Sequence, residues 1–161
     1  MSVSKTLECY AQMQSFEMNS VIAFILKEKW AVSRHDARIS VDALLQWLAG
    51  HAAINHRLPY VMMEGPVDKA FHAFILNTRA YYKFCEKHIG FFVNHTPLDA
   101  TKAREFRIMG GIEYTFNFLE EHFGDQLSPL LRQWKTNIDL VTSIRGRSVA
   151  PLLYHQIIYI I

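Results

Sequence analysis

The fold of this chain is best read from one stretch, Val67 to Pro97, which has the sequence VDKAFHAFILNTRAYYKFCEKHIGFFVNHTP. Inward-facing positions recur there every three or four residues, the spacing of one face of an α-helix. Gly65-Pro66 suits a helix start and Gly90 suits a helix end, so we predict a single helix over residues 66–89. The positions along its buried stripe are Val67, Phe71, Phe74, Thr78, Tyr82 and Cys85.

The same helical spacing continues on both sides of this stretch, whereas the strict alternation typical of β-strands is hard to find. No low-complexity segment, linker or repeat divides the chain. We predict an all-α protein, a compact helical bundle of about five to six helices that forms a single domain over residues 1–161. Four other helices are predicted, over residues 4–29, 33–49, 97–123 and from 129 onward, and a loop is predicted over 51–65. The first helix is expected to break near Asn19-Ser20. The helix over 97–123 is expected to have a kink or a close helix contact at Gly110-Gly111.

The composition is that of an ordinary globular protein, because 50% of the 161 residues are hydrophobic and 20% are charged. Such a chain buries a substantial core, so folding should not require a metal. The net charge of +2 is too small for the broad positive field that binds nucleic acid. The nearest approach to a basic cluster, Lys102, Arg104 and Arg107, is interpreted as a solvated helix face, and we expect no nucleic-acid partner.

The chain contains two cysteines, Cys9 and Cys85. Two thiols are too few for the disulfide framework of small secreted domains, so we interpret both as reduced. The first residues also lack the basic region, long apolar run and cleavage site of an export signal. These features favour a cytoplasmic protein.

The last segment, residues 148–161, is strongly apolar and includes PLLYHQIIYII from Pro151 onward. A run of this length, interrupted by His155 and Gln156, cannot span a bilayer, which needs about 20 residues. We therefore expect no membrane insertion. The segment is expected to pack on the core, with contact to a protein partner as the alternative.

Most of the side chains able to hold a metal lie between Val67 and Pro97. Imidazole, thiolate and carboxylate groups bind zinc and iron, which makes a zinc or iron site one hypothesis. The candidate ligands are His72, His95, Asp68, Cys85 and His88, and Tyr81 is a further candidate site residue.

Helical geometry divides these candidates into two sets. At about 100° per residue, Asp68 and His72 lie roughly 40° apart, so the carboxylate can orient the imidazole as a structural pair or as part of a metal site. The remaining helical candidates, Tyr81, Cys85 and His88, lie on other faces. His95 follows the helix and can be turned toward either set; if it joins the first, a two-histidine, one-carboxylate set results.

Each remaining signal has a structural interpretation. Cys85 lies in the apolar stripe, so it is interpreted first as a small buried hydrophobic residue. The scattered histidines are interpreted as surface or capping residues, namely His51, His56, His122 and His155. No Ser-His-Asp arrangement, phosphate-binding loop or other catalytic motif occurs, so an enzymatic reaction is not specified.

A known pattern can be aligned to thirteen positions of the stretch: Val67, Asp68, Phe71, His72, Ile75, Leu76, Thr78, Tyr81, Phe84, Cys85, Gly90, His95 and Pro97. On these residues the chain resembles the bacterial and plant family of glycine-rich-domain-containing-protein-like domains, in its short bacterial form. Phe71 replaces a tryptophan of that pattern, and Asn94 replaces a second histidine, so a metal cage built on that histidine would be incomplete. The resemblance implies no established activity.

Two functional hypotheses follow. In the first, the protein is a binding or structural interaction module whose polar helix centre fixes the packing. In the second, it is a metal-binding protein, and an enzyme if the metal is catalytic, with a site around His72 and His95. The distance between these two imidazoles separates the hypotheses.

Overall fold

Helices make up most of the part of the chain that the computed structural model describes, namely residues 2–54, 60–96, 110–143 and 157–160. In chain order the elements are α1 (Val3–Gln14), α2 (Asn19–Lys27), α3 (Arg34–Ile54), β1 (Val61–Met63), α4 (Pro66–Leu76), α5 (Thr78–Phe84), a π-helix (Cys85–Ile89), α6 (Gly111–Phe123), a 3-10 turn (Gly124–Gln126), α7 (Pro129–Ser143) and β2 (Ile157–Ile160). The predicted all-α class is confirmed, with one short β-ribbon added to it. Within these ranges no helix has the length and apolarity needed to cross a bilayer.

Helix α3 forms the centre of the core and packs against α1, α2, α4 and α6. Leu44 and Leu48 on this helix are fully buried. The sequence predicts that this helix ends before Gly50. In the structure the helix continues to Ile54. A Cβ atom at Gly50 would lie only 2.2 Å from the Tyr60 hydroxyl, so this glycine permits a close approach of Tyr60 instead of ending the helix.

The stretch 51–65, predicted as a loop, contains the end of α3 and all of β1. Two side chains anchor this strand. The Trp47 indole N–H donates a 2.9 Å hydrogen bond to the Val61 carbonyl, and the Val61 N–H donates a 2.9 Å bond to the Thr115 hydroxyl. The loop prediction is wrong here because a three-residue strand is too short to show an alternating pattern, and all three of its residues are buried.

Strand β1 pairs with β2 in an antiparallel ribbon. The backbone of 157–160 therefore lies beside a buried strand from the middle of the chain, while residues 148–156 and 161 are outside the described part. A protein partner for this terminal segment stays a prediction. The paired positions are Val61 with Ile160 and Met63 with Ile157, with an irregular register between them.

The single helix predicted over 66–89 is wrong, because the chain leaves the helical conformation at Asn77 (φ −86°, ψ 61°). The Asn77 amide donates a 2.8 Å hydrogen bond to the Ser20 hydroxyl on α2, and short polar side chains of this kind compete with helix continuation. After α5 the chain widens into the π-helix Cys85–Ile89. The predicted end at Gly90 is confirmed, since this glycine has φ 89°.

Helices α3 and α6 begin at the residues that the sequence marks as a cap and as a glycine pair. Ser33 begins α3 as predicted, with its hydroxyl accepting from the Asp36 N–H at 3.1 Å and donating to the Asp36 carboxylate at 2.7 Å. The kink predicted at Gly110-Gly111 is instead the start of α6, where Gly110 has φ 70°. The rest of that predicted helix, including the basic positions 102–107, lies outside the described residues.

Candidate metal centre

Helix α4 presents Asp68 and His72 on one face, one turn apart. Proline at the first helical position leaves Asp68 in the first turn, where the helix dipole stabilises a negative charge. The carboxylate is buried, with only 6% of the Asp68 side chain exposed, and its Oδ1 lies 3.5 Å from His72 Nε2. The predicted face shared by Asp68 and His72 is therefore present.

His95 joins this pair from the segment that follows the π-helix. Its Nε2 lies 3.3 Å from the same Oδ1 of Asp68, and its ring centre lies 4.4 Å from that of His72. One possible ligand atom from each of the three residues falls within 4.8 Å of the others. The structure thus answers the question that the sequence leaves open: His95 turns toward Asp68.

Tyr81 and Phe71 hold the His95 segment in place. The Tyr81 hydroxyl donates a hydrogen bond to the carbonyl of Val93, two residues before His95. The Phe71 ring, itself fully buried, lies 5.1 Å from the His95 ring. Tyr81 is therefore a positioning residue; since its partner is a backbone carbonyl, no side-chain pattern marks this link in the sequence.

Burial lowers the pKa of His72, and the neighbouring His95 lowers it further, while the Asp68 carboxylate opposes both effects. The ordinary pKa of a histidine is about 6.5, so the His72 imidazole is mainly uncharged at neutral pH. A metal binds the uncharged imidazole, so no proton has to be displaced from His72 at that pH.

Cys85 lies outside this group of three. It is buried, and burial raises the pKa of its thiol, an effect that hydrogen bonds with the Val93 backbone and with Tyr81 partly oppose. A thiol with a raised pKa is a weak nucleophile and a poor metal ligand at neutral pH. The structure therefore favours the interpretation of Cys85 as a small core residue beside the Tyr81–Val93 contact.

His88 is also separate from the group of three. Its ring lies 5.0 Å from Phe84 and 5.9 Å from Phe16, and its carbonyl accepts a 3.5 Å hydrogen bond from the Cys9 thiol. Burial lowers the pKa of His88, as does the nearby Lys87. The two ligand sets suggested by the sequence are thus distinct, and the Cys85–His88 pair gains no third ligand among the described residues.

Two of the histidines predicted at surface or capping positions are buried instead. His51 is 2% exposed and stacks on Trp47 with ring centres 5.4 Å apart, and His122 hydrogen-bonds the Phe118 carbonyl through Nδ1 at 2.9 Å. Each follows an aromatic residue by four positions, a spacing that brings the two rings together on a helix. The other two, at positions 56 and 155, lie outside the described residues.

Replacing Tyr81 with phenylalanine is expected to lower the free energy of unfolding by about 1–2 kcal/mol, because the buried Val93 carbonyl loses its hydrogen bond. If His95 holds a metal, the same change should weaken its binding by roughly tenfold, since an outer residue that positions a ligand typically contributes 10–100-fold. Chemical denaturation and a cobalt(II) titration measure the two effects. Tyr82→Phe, at an exposed neighbouring position, is the matched control, and equal behaviour of the two variants would contradict a positioning role for Tyr81.

The fold and this geometry define a class of protein: a small helical protein in which one buried carboxylate faces two imidazoles. The sequence model of the UCP032817-like family matches residues 9–127. Since this match covers more than half of the chain, including all three residues of the group, the protein belongs to the UCP032817-like family. No curated protein and no solved structure matches the chain.

This match overturns the resemblance to the glycine-rich-domain-containing-protein-like family. The positions that suggested it are mostly apolar residues at helical spacing, a glycine at a helix end and a proline after it. Such residues are common in amphipathic helices that are followed by a turn, so they discriminate poorly between families. The incomplete metal cage inferred from Asn94 no longer applies.

Proposed function

We propose that the protein binds one divalent transition-metal ion, zinc or iron(II), through Asp68, His72 and His95. The observation that supports this most directly is the convergence of a carboxylate oxygen and two imidazole nitrogens from two separate segments. Two histidines and one carboxylate are the ligand set of many catalytic zinc sites and of non-haem iron(II) sites.

The distances within the group fit such an ion. Two ligand atoms, each about 2.1 Å from a tetrahedral metal, lie about 3.4 Å from one another. Asp68 Oδ1 lies 3.5 Å from His72 Nε2 and 3.3 Å from His95 Nε2. For the third pair, one nitrogen from each imidazole, the separation is within 4.8 Å, so a bound ion would require the side chains to adjust.

Three protein ligands would leave one coordination position of a tetrahedral ion for a water or a substrate. Asp68 and His95 are largely enclosed, with 6% and 11% of their side chains exposed, whereas 38% of the His72 side chain is exposed. The Nε2 atom of His72, which faces Asp68, is nevertheless buried. The proposal of an open position therefore rests on the number of protein ligands, which is three in catalytic zinc sites and four in structural ones. A metal bound there would supply Lewis acidity to a water or substrate in the fourth position.

The second candidate function is the binding or structural module, in which the same three residues act without a metal. The contacts of Asp68 with both imidazoles are within ion-pair distance already, and they join α4 to the segment around His95. In that case the group fixes the packing of this region, and the protein would act through its surface.

Elemental analysis of the full chain, purified without an affinity tag, separates the two functions. We expect close to one zinc or iron per chain, a loss of thermal stability in chelator, and recovery on adding back zinc or anaerobic iron(II). His72→Ala and His95→Ala should abolish metal retention, whereas His35→Ala, an exposed histidine on α3, should leave it unchanged. Metal at background level, together with a melting temperature insensitive to chelator and to added metal, would favour the structural module instead.

A further inference from the structure

The segment that carries His95 turns back toward α4 directly after the π-helix. Gly90 adopts φ 89°, and its N–H donates a 2.8 Å hydrogen bond to the Cys85 carbonyl. The bond spans five residues, which is the spacing of a π-helix, so the turn that reverses the chain closes on Cys85. Because π-helical turns are rare and often lie at functional sites, the contacts of the Cys85 side chain bear on the geometry of the site.

The Cys85 thiol lies between α5 and the returning segment. It forms hydrogen bonds with the Tyr81 hydroxyl, one helical turn earlier in the chain, and with the backbone of Val93. Tyr81 has a single hydroxyl proton and donates it to the Val93 carbonyl. The thiol S–H is therefore the donor to the Tyr81 oxygen. Each of the three residues contacts the other two, and together they form a closed set, which we call the Val93 clamp.

The Val93 clamp is enclosed in the core. Tyr81 and Cys85 are each 1% exposed, and Val93 is fully buried. Since water does not reach these groups, a contact that is lost there is not replaced by a contact with solvent. Burial raises the pKa of the Cys85 thiol, so the thiol keeps its proton at neutral pH and stays a donor.

The clamp limits the freedom of His95, because Asn94 is the only residue between Val93 and His95. With Val93 fixed, the His95 ring packs at 5.1 Å from the Phe71 ring, and its Nε2 lies 3.3 Å from Asp68 Oδ1. A ligand that outer contacts already hold in place loses less conformational entropy when an ion binds. The part of the clamp that the Tyr81 contact alone does not explain is the thiol.

We propose that Cys85 is a positioning residue for the metal site, acting through Tyr81 and Val93 to hold His95 in the orientation that faces Asp68. The role rests on the metal-binding function proposed above, although the orientation of His95 can be measured in metal-free protein. Cys85 is not itself a ligand in this arrangement, since its sulfur lies outside the group of three ligand atoms. Serine keeps a small hydrogen-bonding side chain and should replace Cys85, whereas alanine should not.

Cobalt(II) titrations of the full-length protein test this role with Cys85→Ala, Cys85→Ser and the matched control Cys9→Ala. The Cys9 thiol also contacts the π-helix, through the His88 carbonyl at 3.5 Å, and has no bond to the Val93 clamp within the described ranges. Cys85→Ala should weaken cobalt(II) binding by roughly tenfold. Cys85→Ser and Cys9→Ala should bind like the wild type, and the wild type should show no thiolate-to-cobalt charge-transfer absorption.

A double-mutant cycle with Tyr81→Phe separates positioning from a general loss of stability. Because both side chains act through Val93, the double variant should bind cobalt(II) no more weakly than the weaker single variant. Independent effects of about tenfold each would instead combine to roughly 100-fold. Circular dichroism verifies that each variant is folded, and Cys85→Val, which also lacks a polar group, replaces Cys85→Ala if the alanine variant does not fold.

Nuclear magnetic resonance of the protein in chelator tests the orientation of His95 without any metal. Cross-peaks between the Phe71 and His95 rings should be present in the wild type, Cys85→Ser and Cys9→Ala, and weaker in Cys85→Ala. If the wild type binds no cobalt(II) but the cross-peaks follow this order, the metal proposal fails while the positioning of His95 by Cys85 is supported. Wild-type affinity and cross-peaks in Cys85→Ala, or a thiolate-to-cobalt absorption, would overturn the positioning role.

Discussion

An Asp68→Asn variant is expected to retain none of the metal that we propose for this site, and its metal-free form should have a free energy of unfolding about 1–3 kcal/mol below that of the metal-free wild type. The amide keeps the size of the side chain, so no cavity forms. It removes the negative charge that both His72 and His95 approach through Nε2. A neutral amide is also a much weaker ligand for zinc or iron than a carboxylate.

Elemental analysis and urea denaturation in chelator measure these two losses separately. Glu64→Gln, which removes an exposed carboxylate just before α4, is the matched control and should change neither quantity. If Asp68→Asn retains metal and stability at the level of Glu64→Gln, the carboxylate has neither the metal-binding nor the structural role. Loss of stability with no metal in the wild type would support the structural module alone.

Replacing Gly50 with alanine is expected to lower the free energy of unfolding by about 1–3 kcal/mol. Helix propensity alone favours alanine over glycine by about 1 kcal/mol, so the steric effect must exceed that gain. The new Cβ would lie 2.2 Å from the Tyr60 hydroxyl and 3.2 Å from Leu119. Tyr60 cannot move away easily, because it is fully buried and its hydroxyl donates to the Trp47 carbonyl at 3.1 Å.

A double-mutant cycle with Tyr60→Phe isolates this contact. Removing the hydroxyl relieves the closest clash, so the double variant should be more stable than the sum of the two single changes predicts. Thermal and urea unfolding of the four proteins provide the comparison. A Gly50→Ala protein more stable than the wild type would show that α3 and Tyr60 do not approach each other this closely in solution.

The ends of the key helical segment can be predicted from sequence because they depend on local chemistry. Pro66 fits the first helical position, and Gly90 adopts the positive φ that other residues disfavour. The break at Asn77 depends on Ser20, which is 57 residues away. The hydroxyl that accepts the hydrogen bond from the Asn77 amide belongs to another helix. Helical periodicity alone therefore does not indicate the break.

In the candidate site, too, the parts that depend on local geometry can be predicted from sequence, and the parts that depend on distant interactions cannot. Asp68 and His72 are one turn apart, so their shared face follows from helix geometry. The position of His95 depends on the Tyr81–Val93 bond and on packing against Phe71, both of which are tertiary interactions. The sequence therefore indicates the residue types of the site but not which of them meet.

Asp68 and His95 are 27 residues apart, and the segment between them includes α5 and the π-helix. Contact between Asp68 and His95 closes this segment into a loop. A bound ion would strengthen the closure in the manner of a reversible cross-link, which acts by limiting the freedom of the unfolded chain. Amide exchange in α5 and the π-helix, which contribute no ligand atom, would then slow when the ion binds.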